Sequence, residues 1–253
     1  MTTRSSDIAR EVELGTINEL PVIAADIIYE GSAVGDNALG YARPLAAGDQ
    51  FRGFAESKAD NSAGAAGAIS VRARASGKIK LPVTSLAITD VGRPVYASDD
   101  DVFNVSGIGS FVGHVHRYLS SGYGIVSFDA DRSEKITVVS VPITMAKIAD
   151  GDIVTTFTPG FAGRIKGMQF IVHNPVTTAA KLSTLNAEIG TTNLTGGTIA
   201  LTSAACTPLG KIISAAAITA GAGFTAADTI SIEASSTTTF IEGDGVLEII
   251  LGS

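Results

Sequence analysis

Between residues 86 and 130 apolar and polar side chains alternate with a period of two, and Gly, Asp or Ser interrupts the alternation every few positions. That is the pattern of half-buried antiparallel strands joined by tight turns. It predicts four strands: 93–97, opening on Pro94; 102–105, after the acidic turn 98–101; 111–119, after a Gly-rich turn; and 124–128, after Ser120-Ser121-Gly122. Leu86 and Ile88 lead into them through the turn Asp90-Val91-Gly92. Upstream, 26–29, 41–45 and 51–55 read as short strands. Residues 69–80 alternate strictly, with Ile69, Val71, Ala73 and Ala75 opposing Ser70, Arg72, Arg74 and Ser76. The intervening 58–67 stretch, KADNSAGAAG, has almost nothing to bury and is expected to be mobile or laid on the surface.

Downstream of residue 135 the spacing predicts eight strands: 136–144, 153–157, 163–172, 180–189, 198–202, 212–216, 229–234 and 245–251. Turns such as Thr158-Pro159-Gly160 and Asn174-Pro175 separate them. Eight short strands in so compact a stretch imply a two-sheet sandwich, plausible as a jelly roll. The fold class is therefore all-β throughout: an N-terminal arm (1–20), a small β-barrel domain (21–131), a linker (132–135) and a C-terminal β-sandwich (136–253). In the arm, Ser5, Ser6 and Asp7 can start one helical turn through Ile8, Val12 and Leu14 before Gly15 stops it. So short a helix is marginal alone. The arm reads either as a partly ordered terminus or as an extended strap that adds to a neighbouring protein.

The order VGRPVYAS, DDDVF, VGHV and GYGIVSFDA resembles the small β-barrel of tailed-phage capsid cement (head decoration) proteins, over roughly residues 20–130. The resemblance implies a structural protein on the outer surface of a virion, present in the host cytoplasm during assembly. Its partners would be the major capsid protein and further copies of itself, commonly as a homotrimer. The residues expected at the capsid contact are Ile8, Val12, Leu14 and Ile17 of the arm, with Arg72 and Arg74 second. The two arginines head a charged face with Lys78 and Lys80 nearby, which reads first as a solvated strand face and second as a contact with an acidic capsid surface.

Composition narrows the alternatives. Hydrophobic residues make up 45% and charged ones 17% of the 253 residues. Even so, no run approaches the ~18 apolar residues of a membrane helix, so no membrane partner is expected. The N-terminus carries charges where a signal peptide needs an apolar stretch. The net charge of −7, with basic residues scattered, argues against a nucleic-acid partner. Trp is absent and aromatics are 6%, which weighs against an aromatic sugar platform. A receptor- or glycan-binding module in the C-terminal sandwich is nonetheless the second reading.

Candidate chemistry is sparse, and neither a cofactor nor an enzymatic activity is expected. His114 and His116 fall on one face of a strand, the spacing of two metal ligands, but His173 lies in the other domain and no acidic cluster adjoins them. The polar face of a barrel strand explains the pair as well. Asp99-Asp100-Asp101 lacks the spacing of a calcium loop and reads as a solvated turn. No G-x-S-x-G is present, and Gly107-Ile108-Gly109 and Gly221-Ala222-Gly223 lack the continuation of a phosphate loop. Cys206 stands alone, either as a small buried hydrophobe or as a thiol that pairs between molecules.

Overall fold

The computed structural model describes residues 15–253 and is built almost wholly of strands. The first half holds two sheets that share a core. Strands β1 (Ile17–Pro21), β3 (Ala33–Asp36), β4 (Ala42–Pro44), β5 (Gln50–Ala55) and β7 (Ser70–Arg74) make an open sheet in the order β1-β7-β5-β3-β4. A short ribbon of β2 (Ile27–Ile28) and β6 (Ala59–Asp60) lies beside it. Strands β8 (Ser76–Thr84), β9 (Pro94–Ala97), β10 (Phe103–Asn104), β11 (Ser110–Ser120) and β12 (Tyr123–Asp129) close a barrel in the order β10-β8-β12-β11-β9. Phe51 and Phe54 of the open sheet pack edge-on against Phe128 of the barrel. Burying three rings together in this way ties sheet and barrel into one apolar core.

All four strands expected within 86–130 are present, and Leu86 and Ile88 lead into them through a short 3₁₀ turn, Ile88–Asp90. There the Asp90 carboxylate accepts from the Ala87 amide and pairs with Arg93, which favours the tight turn over extension. One expectation needs correction, and of the two readings of 58–67 the surface-laid one holds, since most of its residues are exposed. The 69–80 alternation is two strands: the chain breaks at Ala75, whose amide donates to Thr16 and whose carbonyl accepts from Ala130. The chain thus leaves the open sheet and enters the barrel without interrupting the apolar period. The 58–67 stretch is anchored, because the Asn61 side-chain amide is buried and donates to the carbonyls of Val22, Ile23 and Ala65. Three backbone acceptors on one amide hold a segment that has little apolar surface of its own.

The second half is a sandwich. Its strands are β13 (Ile136–Thr144), β14 (Gly151–Phe157), β15 (Gly163–Asn174), β16 (Leu182–Ile189), β17 (Thr192–Asn193), β18 (Thr195–Gly196), β19 (Ile199–Thr202), β20 (Ile212–Ser214), β21 (Ile218–Ala220), β22 (Gly223–Phe224), β23 (Ile230–Thr238) and β24 (Asp244–Gly252). One sheet runs β13-β24-β15-β20 and the other β14-β23-β16, with β17 and β19 both pairing β16. Counting only the eight principal strands in chain order, the sheets read 1-8-3-6 and 2-7-4-5, the double Greek key of a jelly roll. All eight strands expected from the spacing are there. Leu185, Ile199, Phe170, Leu247 and Ile249 fill the space between the sheets. At the end remote from the barrel, Glu242 accepts from the backbone and hydroxyls of Thr177 and Thr178, and Asn174 bonds Asp244.

Candidate functional site

Of the residues expected at a capsid contact, Ile8, Val12 and Leu14 lie outside the described residues. The other three come together. Ile17 opens β1 opposite Arg74, and Glu19 stands opposite Arg72, so all four share the outer face of the β1/β7 ladder. Arg72 lies 3.9 Å from Glu19 and 3.7 Å from Glu56, and Arg74 also pairs with Glu56. This face is mixed in charge, and its exposed pairs are worth at most about 1 kcal/mol each. Lys78 and Lys80 do not join it: they sit past the break at Ala75, on β8 of the barrel, where Lys80 lies over the ring of Tyr123.

The remaining sequence candidates resolve individually. His114 and His116 both project outward from β11, and His114 stacks edge-on against Phe111 in a groove that Arg132 and Lys135 also line. Burial in that groove, then the charge of Arg132, lowers the pKa of His114. Among the described residues no three His, Cys, Asp or Glu side chains converge as a metal site would need. Asp99 accepts from the amides of Asp101 and Val102, and the Asp100 carbonyl accepts from Ala33, so the acidic turn latches the barrel to the open sheet. Cys206 is fully buried in the sandwich core, and burial pushes its thiol up to about 11.

The most concentrated electrostatic feature was not anticipated. Glu134, in the segment expected as a linker, is buried at the joint between barrel and sandwich. Arg164 of β15 grips it with two bonds, Nε to Oε1 at 2.8 Å and Nη2 to Oε2 at 2.9 Å. Lys166 Nζ lies 2.9 Å from Oε2, and the Tyr96 hydroxyl of the barrel donates to Oε1 at 2.9 Å. The third nitrogen of Arg164 donates to the carbonyls of Gly107 and Gly109, and its guanidinium lies 4.3 Å from the centre of the Tyr96 ring. Gly107 has φ +86°, and a side chain there would strike Arg164, so the close approach needs glycine twice over. Burial alone raises the pKa of Glu134, but the hydrogen bonds and charges of Arg164 and Lys166 outweigh it and hold the carboxyl below its ordinary value. The Gly223 amide also donates to Ser106 across the joint. This constellation binds two halves of one chain; its donors and acceptors are spent on each other. A charged residue inside a run of charged residues gave no sign that it would be buried.

No family model matches the chain, and no curated protein matches it. Among solved structures, the crystal structure of the infectious bursal disease virus VP2 subviral particle is similar at 11% identity and a TM-score of 0.24, over 98% of this chain and 74% of that one. A likeness that slight carries no argument about this protein. Among the described residues no helix is long and apolar enough to cross a membrane.

Proposed function

We propose that this protein is a structural component of a tailed-phage virion, decorating the outer surface of the capsid by binding the major capsid protein, as a trimer and without enzymatic activity. The observation that supports this reading best is that the strands carrying the sequence resemblance, 93–128, combine with β8 to close a small barrel. The barrel is packed on an open sheet whose edge strand β1 directly follows residues 1–14. Under this reading Ile17, Arg72 and Arg74 meet the capsid from that edge, and Ile8, Val12 and Leu14 extend the contact. Each contact is weak, but repetition over a lattice turns weak contacts into tight retention.

The test is co-sedimentation of the purified protein with undecorated, expanded heads, with its mass measured by light scattering. Saturable binding is expected, by a particle with the mass of a trimer or of a pair of trimers. Deleting residues 2–14, which leaves β1 intact, should abolish binding while leaving the melting temperature unchanged. A protein that ignores heads in both forms would refute the decoration role, and retention of a glycan array by the sandwich would replace it.

A further inference from the structure

The two outer faces of the sandwich differ in kind. The outer face of the β14-β23-β16 sheet carries Thr184, Asn186, Glu188, Glu233 and Ser235, the polar surface that water calls for. The opposite sheet, β13-β24-β15-β20, points a second set of aliphatic side chains away from the core. Its register aligns them in rows across the strands. One row is Pro142, Val246, Ile171 and Ile212; the next is Ser140, Glu248, Gln169 and Ser214; the third is Val138, Ile250 and Gly167. Val138 and Ile212 are 48% and 50% exposed, while their neighbours Val139 and Ile213 pack on the core. An antiparallel sheet with apolar residues on both faces is one that expects cover on both.

We infer that this face is the contact surface for a second copy of the same chain, packed sheet on sheet about a two-fold axis. The rows are self-complementary about an axis that runs along the strands between β24 and β15. Turning one copy about it lays Val246 over the partner's Ile171 and Pro142 over the partner's Ile212, apolar on apolar. It lays Ile250 over the partner's Gly167, where there is nothing within 4 Å of the space a side chain would occupy. It also lays Glu248 over the partner's Gln169. Gln169 already donates one amide hydrogen to Glu248 of its own copy at 2.6 Å, and its second hydrogen is then available to the other. The two Glu248 carboxylates then flank the axis about one strand spacing apart, with the Gln169 amides of both copies between them, and they are the like charges this pairing must accommodate.

The size lies near the threshold. Three strands of about eight residues and the three residues of β20, about 4.8 Å apart and about 3.4 Å per residue, project roughly 440 Å² per copy. Two such faces come to roughly 900 Å², close to the ~1,000 Å² at which specific interfaces begin. The contact is isologous and therefore closes at two copies. It leaves the barrel free, so it is independent of how the barrel meets a capsid and can join one assembled unit to the next.

The test uses the full chain, without heads. Sedimentation equilibrium should show that Ile171→Lys halves the native particle mass, with an unchanged circular dichroism melt. As a check independent of that variant's folding, Pro142→Cys protein is mixed with Ile212→Cys protein and treated with a short bifunctional maleimide. The mixture should cross-link between copies, and Pro142→Cys alone should not. An unchanged mass for Ile171→Lys together with no cross-link in the mixture overturns the inference. A native chain that associates through this face only after residues 2–14 are removed also overturns it, and assigns the face to that segment. Head binding is scored separately, so a chain that decorates heads yet never pairs ends this inference and leaves the decoration reading standing.

Discussion

Replacing Arg164 with alanine should open the joint between barrel and sandwich without unfolding either. Arg164 is 14% and Glu134 5% exposed at the side chain, so the substitution strands a carboxylate where water barely reaches. Removing one partner of a buried pair costs about 3–5 kcal/mol. Lys166 stays beside Glu134, and Tyr96 still donates to it, which places the loss at the lower end. The lost bonds to the Gly107 and Gly109 carbonyls add about 1 kcal/mol between them. A total of about 3–4 kcal/mol corresponds to a few hundredfold more of the open form. Amide hydrogen exchange reads this directly, because the Gly223 amide donates across the joint to Ser106. Its exchange should accelerate a few hundredfold in Arg164→Ala, while amides of the β15/β24 ladder keep their protection. A double-mutant cycle with Glu134→Gln isolates the pair: the combined loss should fall short of the sum of the single losses by at least about 1 kcal/mol. Additive losses, or acceleration of Gly223 by less than about tenfold, would refute the account of Glu134 as the clasp of the joint.

Three further outcomes follow from the same residues and their neighbours. Because the folded-state pKa of Glu134 lies below its unfolded value, its contribution is full above the ordinary carboxylate range near about 4.3 and is lost as pH falls through the folded value. Thermal melts from pH 7 to pH 3 should therefore decline more steeply for the native chain than for Glu134→Gln. Asn61→Ala removes the side-chain donor from the Val22, Ile23 and Ala65 carbonyls, of which Val22 and Ala65 keep the amides of Gly67 and Ala68, and should destabilise the first half by about 1–3 kcal/mol in urea unfolding, with faster proteolysis within 61–67. The Cys206 thiol, buried and pushed up to about 11, should resist a thiol reagent at pH 8 until the sandwich unfolds, so labelling and sandwich unfolding should share one denaturant midpoint.

What the chain discloses by itself depends on the range of the interaction. Strands are local, and the alternation in 136–144 and 245–251 locates β13 and β24 almost to the residue. Even the unusual sheet face leaves a trace there: VVSVPI and LEIIL are apolar at successive positions, the mark of a strand covered on both sides. The change of sheet at Ala75 leaves none, because the residue that makes the bend also continues the period. Asn61 and Glu134 are hidden for a different reason. Each is a polar residue in a polar stretch, and its burial is decided by carbonyls or cations tens of residues away. Arg72 and Arg74 were legible as exposed strand positions and Ile17 as an apolar residue of the arm, but their meeting on one ladder, and the two glutamates that balance the arginines, required the tertiary pairing.

The adjacency of β13 and β24 has a mechanical consequence. The two strands form a nine-pair antiparallel ladder, and the backbone groups of Lys135 and Ser253 bond each other at the barrel end of it. Force that pulls Lys135 away from Ser253 would peel the ladder one pair at a time, like a zipper, each bond bearing the whole load in turn. Force that enters from the barrel at Lys135 and leaves through the remote end of β24 at Asp244 loads the same ladder along its length, where all nine pairs resist together. The sandwich is thus compliant to tension across its near corner and stiff to tension along its long axis, a direction that the Glu242 and Asn174 bonds at the remote end reinforce.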